Sequence, residues 1–228
     1  MVPRVAPRLS IIVPTLNEAA RIGAALEALA PLRAHGHEVI VVDGGSDDAT
    51  VDLARPLADR VLTSARGRAL QMNAGARAAR GEALLFLHAD SQLPARADEL
   101  ILRALARSAW GRFDVEIESR HPLLKVVAAA MNLRSRLSGI ATGDQAIFVR
   151  RDAFPGFPQI ALMEDIALSR VLKRRGRPAS LRERARTSAR RWEARGVLRT
   201  IFLMWRLRLL YALGVAPQRL AREYADPR

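Results

Sequence analysis

Short apolar runs alternate with helix-like segments through the first part of the chain. The apolar runs at residues 9–13, 38–42, 61–63 and 83–87 predict four buried strands. Between them, Ile22, Leu26 and Leu29 fall on one face of a predicted helix, and Gly81 follows an Ala-rich helical segment. This alternation predicts an α/β fold with a mostly parallel, Rossmann-like sheet flanked by helices.

Beyond residue 94 the spacing becomes irregular. Residues 95–108, 123–137 and 163–175 have helical periodicity, and residues 146–149 form another apolar run. Residues 112–118 alternate between polar and apolar side chains, which is typical of a strand with one solvent-exposed face. This strand is predicted to lie at an antiparallel edge or in a second sheet.

Residues 197–215 predict an amphipathic helix. Apolar side chains recur there at steps of three and four residues, and three arginines interrupt them: Leu198, Ile201, Phe202, Trp205, Leu209 and Leu213, with Arg199, Arg206 and Arg208. Two interpretations are open. The apolar face packs on the rest of the chain or on a second subunit in a homodimer, or it lies on a membrane surface, for which Trp, Phe and Leu opposite Arg are typical.

Charge is concentrated at the C-terminal end. The chain has 37 Lys and Arg against 23 Asp and Glu, a net charge of +14. From residue 166 onward, 17 basic side chains stand against 4 acidic ones. Such a region favours anionic lipid headgroups, a phosphorylated ligand or nucleic acid. Residues 182–195 are predicted to be a solvated basic loop or arm.

Composition excludes several classes of protein. With 50% hydrophobic and 26% charged residues, the chain is expected to be globular rather than disordered. The absence of Cys excludes disulfide scaffolds, Cys zinc sites and thiol nucleophiles. The longest uncharged stretch, residues 153–163, is about half a membrane-spanning length. Residues 1–10 lack an apolar signal core, so we expect a cytoplasmic chain; membrane-surface binding would place it peripherally at the inner face of the membrane.

Polar side chains follow three predicted strands where each strand ends. Residues 14–18 follow the first, Asp43 ends the second, and residues 88–90 end the fourth. Because open α/β sheets bind ligands beyond the carboxyl ends of their strands, these residues are candidates for one site. Asp43 and Asp90 have no packing role at such positions.

Other polar residues have two interpretations each. Asn17 and Ser46 either cap the helices that follow the first two strands or contact a ligand. Glu164 and Asp165 stand at the start of a helix, where carboxylates also complement the positive end of the helix dipole.

Five segments, in order, resemble motifs of the inverting family-2 glycosyltransferases, which have a GT-A-type nucleotide-diphospho-sugar transferase fold. They are SIIVPTLNE at residues 10–18, VVDGGSDD at residues 41–48, RGRALQMNAG at residues 66–75, LFLHAD at residues 85–90 and ED at residues 164–165. These are similar to the family's opening strand and loop, its VDDGSxD turn, its GxxxxxNxG helix, its FLDAD motif and its ED pair. The RRW segment at residues 190–192 is similar to a later basic-aromatic motif of some members.

The resemblance implies a catalytic domain at residues 1–180, with a nucleotide-sugar half at about 9–93 and an acceptor half at about 94–180. A basic amphipathic C-terminal extension would follow at residues 181–228. The implied activity is transfer of a sugar from a UDP- or GDP-sugar to an acceptor hydroxyl on a small molecule or a lipid-linked acceptor.

The resemblance also implies roles for individual residues. The implied nucleotide-sugar site comprises Pro14, Thr15, Glu18, Asp43, Arg68, Asn73, His88, Ala89 and Asp90. Asp43 matches the residue that contacts the base, and Thr15 and Glu18 match the edge of the nucleotide pocket. Arg68 and Asn73 are expected to reach the nucleotide or its phosphates.

Asp90 matches the principal metal ligand, so a divalent cation, Mg²⁺ or Mn²⁺, is the expected cofactor. His88 stands where the family has a first Asp, and it either replaces a ribose contact or packs as a loop residue. Gly44 replaces a usual second Asp, so one nucleotide contact is missing.

Asp165 matches the general base that takes the proton of the acceptor hydroxyl, and Glu164 is expected to shape the site. Asp144 and Gln145 are acceptor candidates, although Asp144 equally suits a turn.

Two alternative functions are open. The basic tail suggests a nucleic-acid-binding protein, but it lacks interleaved aromatic residues and a recognisable binding motif, so no nucleic acid is expected. His88 suggests a catalytically silent sugar-nucleotide binder.

Overall fold

The structure, a computed structural model, describes residues 8–224 as one mixed sheet flanked by helices. The strands are β1 (Leu9–Thr15), β2 (Glu38–Asp43), β3 (Arg60–Thr63), β4 (Ala83–Phe86), β5 (Ser91–Gln92), β6 (Trp110–Glu118), β7 (Phe148–Arg150) and β8 (Ala179–Ser188). The helices are α1 (Ala19–Glu27), α2 (Ala30–Ala34), α3 (Thr50–Ala54), α4 (Arg68–Ala78), α5 (Ala97–Leu105), α6 (Pro122–Ser138), α7 (Glu164–Leu172), α8 (Arg190–Arg195), α9 (Val197–Ala212) and α10 (Pro217–Tyr224), with 3₁₀ turns at Gly143–Gln145, Arg151–Ala153 and Lys173–Arg175. The sheet order is β3-β2-β1-β4-β7-β6-β8-β5. The predicted α/β class is therefore confirmed.

The strands β1 to β4 pair in parallel. β1 lies between β2 and β4, with Val13 opposite Val41 and Ile12 opposite Phe86. Because side chains alternate along a strand, Ile11 packs into one apolar cluster and Ile12 into another, and both faces of the sheet are covered. The parallel pairing brings the carboxyl ends of β1, β2 and β4 to the same edge.

Helix α4 lies directly on β1 and β2 because Gly75 has no side chain. A Cβ at Gly75 would lie 2.5 Å from Ile12 Cγ2 and 3.0 Å from Val42 Cγ2. One turn earlier, Gln71 Nε2 donates to the carbonyl oxygens of Thr15 at 2.7 Å and Val42 at 2.9 Å. These contacts hold the first turns of α4 over the ends of both strands.

The helices after β1 and β2 begin later than the sequence predicts, at Ala19 and Thr50, and neither Asn17 nor Ser46 caps them. Instead, the Asn17 N–H donates to Ser46 Oγ at 2.8 Å, and Asn17 Oδ1 accepts from the Asp47 N–H at 2.9 Å. The two residues therefore join the loop after β1 to the loop after β2.

The prediction for residues 112–118 is wrong in its placement. They belong to β6, which lies inside the sheet, antiparallel to β7 and parallel to β8. Arg112 and Asp114 are buried on the face that was expected to be wet, because α6 packs on it. Asp114 forms ion pairs with both Arg112 and Arg136, and this pairing offsets the desolvation of the buried charges.

The basic segment at residues 182–195 is not a solvated loop. Its first part belongs to β8, which pairs with β6 and β5, and its last part is α8. The predicted boundary between residues 180 and 181 falls inside β8, so residues 181–188 belong to the sheet. Arg184 and Arg186 are exposed while Ala185 between them is buried, and the strand therefore places its charges in solvent.

The predicted amphipathic helix is present as α9, but its main apolar stripe faces outward. Thr200 and Leu207 are buried against the rest of the chain. The outer side chains are between 60% and 73% exposed: Leu198, Phe202, Trp205, Leu209 and Leu213. Packing on the described residues thus accounts for the inner face alone. Across residues 8–224, no helix combines the length and apolar character needed to cross a bilayer.

Replacing Gly75 with Ala is expected to lower the free energy of unfolding by about 1–3 kcal/mol, because the new Cβ overlaps side chains of β1 and β2. Gly23 in α1 is the matched control, since a Cβ there has no atom within 4 Å. Gly23→Ala should raise stability by about 0.5–1 kcal/mol through helix propensity. Urea unfolding followed by circular dichroism measures both changes, and equal effects would contradict the close helix-sheet contact.

Candidate active site

A cavity of about 440 Å³ opens beside the loops that follow β1 and β4, and we call it the central cavity. Four carboxylates line it, Asp90, Asp144, Glu164 and Asp165, together with His88. Four arginines line it too, Arg68, Arg190, Arg191 and Arg208. Residues from the two predicted halves and from the C-terminal helices therefore meet in one place.

A second cavity of about 230 Å³ lies beside it at the ends of the strands, and we call it the strand-end cavity. Its own lining includes Pro14, Thr15, Glu18, Gln71 and Ala89. It shares Arg68, His88, Asp90, Arg190 and Arg191 with the central cavity, so the two are continuous. Ten of the predicted site residues thus line one of these two cavities.

Asp165 is held in a fixed orientation at the start of α7. Its Oδ2 accepts from the Gly143 N–H at 2.9 Å, and its Oδ1 accepts from the Ile166 N–H at 2.7 Å. The preceding turn has Met163 in a left-handed conformation, with φ of 69°, which turns the chain abruptly into the helix. Both carboxylates of the pair line the central cavity.

Glu164 is the more deeply buried carboxylate, with 7% of its surface exposed. Burial raises the pKa of Glu164 above its usual value, and the negative charge of Asp165 raises it further. Carboxyl groups with a perturbed pKa of this kind cluster at functional sites.

His88 packs against the loop that carries Asp144. A Cβ at Gly143 would lie 2.6 Å from the His88 imidazole, so Gly143 leaves the space that the ring occupies. His88 Nδ1 lies 3.5 Å from Asp144 Oδ1. The imidazole both packs in the loop and faces the cavities, and the two interpretations of His88 are compatible.

Asp90 lines both cavities, and its carboxylate has no hydrogen bond or ion pair with any residue from 8 to 224. In that same part of the chain, no group of three or more His, Cys, Asp or Glu side chains is arranged to hold a metal ion. A single free carboxylate nevertheless fits Mg²⁺ or Mn²⁺ when a substrate diphosphate supplies further oxygens, because such ions are commonly bound by one or two carboxylates plus phosphates.

Thr15 supplies an unused polar atom to the strand-end cavity. Its Oγ1 is buried and has no hydrogen-bond partner among the described residues. Buried polar groups are normally paired, so this hydroxyl is an exception among the residues that line the cavity. At the same wall, Glu18 Oε1 lies 3.6 Å from Arg190 Nη2, which links the loop after β1 to α8.

Three predicted site residues lie outside both cavity linings and have backbone partners instead. Asp43 accepts from the N–H groups of Gly45 and Ser46, both at 2.8 Å, and so closes the turn after β2. Asn73 bonds the N–H and carbonyl oxygen of Phe157, each at 2.8 Å. Gln145 is fully buried and completes a capping box with Thr142. These side chains hold loops around the site.

The missing acidic residue at Gly44 has a steric explanation. A Cβ at Gly44 would lie 3.1 Å from Cδ and Nε2 of Gln71, whose amide fills this space and lines the strand-end cavity. Gln71 was not among the predicted site residues, although it lies inside the quoted helix motif. The sequence alone does not show that the Gln71 amide fills the space beside Gly44.

Several other residues that line the central cavity were not predicted as site residues. They come from the C-terminal helices: Arg190, Arg191 and Trp192 of α8, Met204 and Arg208 of α9, and Tyr224 of α10. The RRW motif was the available signal for the first three. Arg208 is one of three arginines within an otherwise apolar helix pattern, and that pattern did not predict a position at the site.

Comparison with known proteins extends these observations. Residues 10–152 match the family described as Glycosyl transferase family 2. A "PGL/p-HBAD biosynthesis glycosyltransferase" of Mycobacterium tuberculosis is 41% identical over 95 residues, which are 39% of this chain and 37% of that protein. The chain thus matches just over a third of the length of this curated relative.

Two solved structures have a similar fold. A mannosyltransferase from Pyrobaculum calidifontis, in complex with GDP-Man and Mn²⁺, has a TM-score of 0.64 and 24% identity over 90% of this chain and 61% of that chain. S. aureus TarS 1-349, in complex with UDP-GlcNAc, has a TM-score of 0.64 and 19% identity over 79% of this chain and 58% of that chain. At these identities the likeness establishes the fold, which is the predicted GT-A type.

Replacing Glu164 with Gln is expected to flatten the pH dependence of stability. A carboxyl group with a raised pKa keeps its proton in the folded chain where the unfolded chain has released it, so stability falls as pH rises above the ordinary value of 4.5. Gln removes this loss, and the variant should exceed the wild type in stability near neutral pH. Urea unfolding from about pH 5 to 8 measures the difference; Glu27→Gln, at an exposed position of α1, is the control. Parallel curves for wild type and Glu164→Gln would contradict the raised pKa.

Proposed function

This chain belongs to glycosyl transferase family 2, and from that premise we propose that it transfers a sugar from a nucleotide-diphosphate donor to an acceptor hydroxyl, with inversion at the anomeric carbon. The observation that carries the proposal is the meeting of Arg68, Asp90 and Asp165 around one cavity at the ends of the strands. These residues supply a phosphate-binding cation, a metal ligand and a base, which are the three groups that the reaction requires.

The donor nucleotide is proposed to occupy the strand-end cavity. The unpartnered Thr15 hydroxyl and Gln71 Oε1, whose amide nitrogen is bonded to the Thr15 and Val42 carbonyl oxygens, are polar groups proposed to contact the nucleoside. Arg68, Arg190 and Arg191 line both cavities, as groups that bind a diphosphate extending from one to the other would do. Guanidinium groups bind phosphate oxygens in bidentate fashion and stabilise the negative charge that develops on the leaving diphosphate. UDP and GDP nucleotides are both candidates, since the similar structures contain UDP-GlcNAc and GDP-Man.

Asp90 is proposed to hold a divalent cation against the donor diphosphate. The bound cation would supply charge that stabilises the leaving group. The unpaired carboxylate of Asp90 at the junction of the two cavities supports this role, and Mn²⁺ accompanies GDP-Man in the similar mannosyltransferase.

Asp165 is proposed to act as the general base. It takes the proton of the acceptor hydroxyl while the hydroxyl oxygen forms a bond to the anomeric carbon. The bond between that carbon and the donor phosphate oxygen breaks on the opposite face, and the nucleoside diphosphate leaves with the electron pair. The N–H groups of Gly143 and Ile166 fix the orientation of the Asp165 carboxylate. A fixed orientation supports this role, because a base must be held within hydrogen-bond reach of the proton that it takes. Glu164 is proposed to shape the acceptor side of the same cavity.

The outer face of α9 is proposed to bind an anionic membrane surface. Its five exposed apolar side chains form one stripe, and Arg199 on the same helix is exposed and positive. Trp and Phe bury their rings in the interfacial region, while basic residues are attracted to anionic headgroups. A lipid-linked acceptor would then be reached from the membrane surface.

Calorimetric titration with UDP and with GDP tests the donor site. We expect one nucleotide to bind more tightly with Mn²⁺ than without it. Asp90→Asn should lower the affinity for that nucleotide in the presence of Mn²⁺ by about tenfold or more. Asp165→Asn should keep nucleotide affinity within about twofold and reduce release of nucleotide from the donor sugar by about 10²- to 10⁴-fold.

Asp52→Asn, at an exposed position of α3, is the control for both variants and should behave as the wild type. The proposed base is wrong if Asp165→Asn turns over normally. Failure of both nucleotides to bind, with salt-sensitive binding of RNA instead, would replace the proposed function by nucleic-acid binding.

Co-sedimentation with vesicles tests the membrane surface. The wild type should bind phosphatidylglycerol vesicles more strongly than phosphatidylcholine vesicles, and Trp205→Ser with Phe202→Ser should weaken binding by about tenfold or more. Leu53→Ser removes an exposed apolar side chain on α3 and is the matched control. Unchanged binding by the double variant would reject this surface, and a concentration-dependent dimer that the same substitutions dissociate would assign the face to a second copy.

A further inference from the structure

The central cavity has one positively charged corner that the proposed donor site does not use. Arg208 lines the central cavity but not the strand-end cavity, in contrast to Arg68, Arg190 and Arg191, which line both. Within residues 8–224, the Arg208 guanidinium has neither a hydrogen bond nor an ion pair. It therefore presents an uncompensated charge to the part of the cavity away from the nucleotide.

Behind Arg208 lies a second arginine without an acceptor. Nε and Nη2 of Arg134, on α6, are buried and find no hydrogen-bond partner in the described part of the chain. Burial, and then the like charge of Arg208, lowers the pKa of Arg134 to about 10, so the group still carries its charge at neutral pH. Buried guanidinium N–H groups without acceptors are costly, because they lose hydration and gain nothing in return.

The neighbouring charges do not supply the missing acceptor. Asp165 acts favourably on Arg134, whereas Arg112 acts unfavourably. Arg112 and Arg136 both pair with the single carboxylate of Asp114, so that carboxylate is already in use. Two guanidinium groups therefore remain, and the one carboxylate whose charge favours Arg134 is oriented by the backbone N–H groups of Gly143 and Ile166.

The position of this pair identifies the ligand. Arg208 lines the same cavity as Asp165, the proposed base, and does not line the strand-end cavity, so Arg208 belongs to the acceptor side. Arg134 lies outside the lining of both cavities and adds its buried charge beside Arg208. Apolar side chains line that cavity as well, Leu162, Ile166 and Met204 among them. A ligand with one anionic group and a less polar remainder would match both features.

We propose that Arg208 binds a phosphate monoester carried by the acceptor, and that the buried charge of Arg134 strengthens this binding from outside the cavity lining. Such a group carries about −1.5 to −2 charges at neutral pH and three acceptor oxygens, which match the Arg208 guanidinium and a second positive charge near it. This inference rests on the proposed glycosyl transfer, because it names the class of acceptor for the same cavity. The phosphate could belong to a soluble sugar phosphate or to a lipid phosphate, and both would use the same pair.

Titration of the nucleotide-saturated protein with inorganic phosphate, in the presence of Mg²⁺, tests the proposal. The wild type should bind phosphate, and Arg208→Gln should weaken that binding by about tenfold to a hundredfold while nucleotide affinity stays within about twofold. Arg208→Lys, which keeps the charge, should lose less. Arg103→Gln, at an exposed position of α5, is the control and should bind phosphate as the wild type does.

Arg134→Gln tests the buried partner, and its urea unfolding is measured first to establish that it folds. It should weaken phosphate binding as Arg208→Gln does. Absence of phosphate binding in the nucleotide-saturated wild type would overturn the proposal. Displacement of phosphate by the nucleotide would overturn it too, because the pair would then serve the donor.

Two further arms separate the sources of the phosphate and the underlying function. Tighter binding of hexyl phosphate than of inorganic phosphate would indicate a lipid phosphate, and equal binding would indicate a soluble one; either result supports the site. Failure of the nucleotide titration would reject the proposed glycosyl transfer independently, since phosphate binding to the nucleotide-free protein still reports on Arg208.

Discussion

The parallel pairing of β1 with both β2 and β4 is the constraint on which the rest of this structure depends. It brings the loops after three strands to one edge, and it requires both faces of β1 to be covered. Helix α4 meets that requirement on one face through the close approach at Gly75. Arg68, at the start of α4, and Asp90, in the loop after β4, line the same cavity. The cavity is therefore a consequence of how the sheet is packed.

Much of this edge could be predicted from the sequence, because hydrophobic strands and the polar residues that end them are local signals. Residues 14–18 and 88–90 were assigned to one site on that basis, and members of both segments line the two cavities. Asp43 was assigned on the same basis and Asn73 by its position in a motif, yet the side chains of both bond backbone groups. A motif identifies the loop that reaches a site, whereas the direction of each side chain depends on packing that one sequence does not contain.

The errors in the C-terminal half have a different cause. Arg112 was expected to face solvent because an isolated strand cannot reveal that Asp114 will pair with Arg112 and also with Arg136 of α6. In β8, dense charge obscured the alternation of exposed arginines with the buried Ala185. Both strands pair over long sequence separations, so the partners that decide their environment lie outside any local window. The same limit applies to Arg208. The pattern of its helix predicted an apolar stripe, but it did not predict that Arg208 would line the cavity.

Two buried ionisable groups near the central cavity have pKa values that are shifted in opposite directions. Glu164 loses hydration beside another carboxylate, which raises its pKa, and Arg134 loses hydration beside another guanidinium, which lowers its pKa. Each arrangement opposes folding, and residues 8–224 offer neither group a compensating ion pair. Conflicts between local chemistry and stability are expected at functional sites, where the ligand supplies what the chain lacks. A divalent cation bound with a donor diphosphate, and an anionic acceptor, would each bring an opposite charge next to one of these groups.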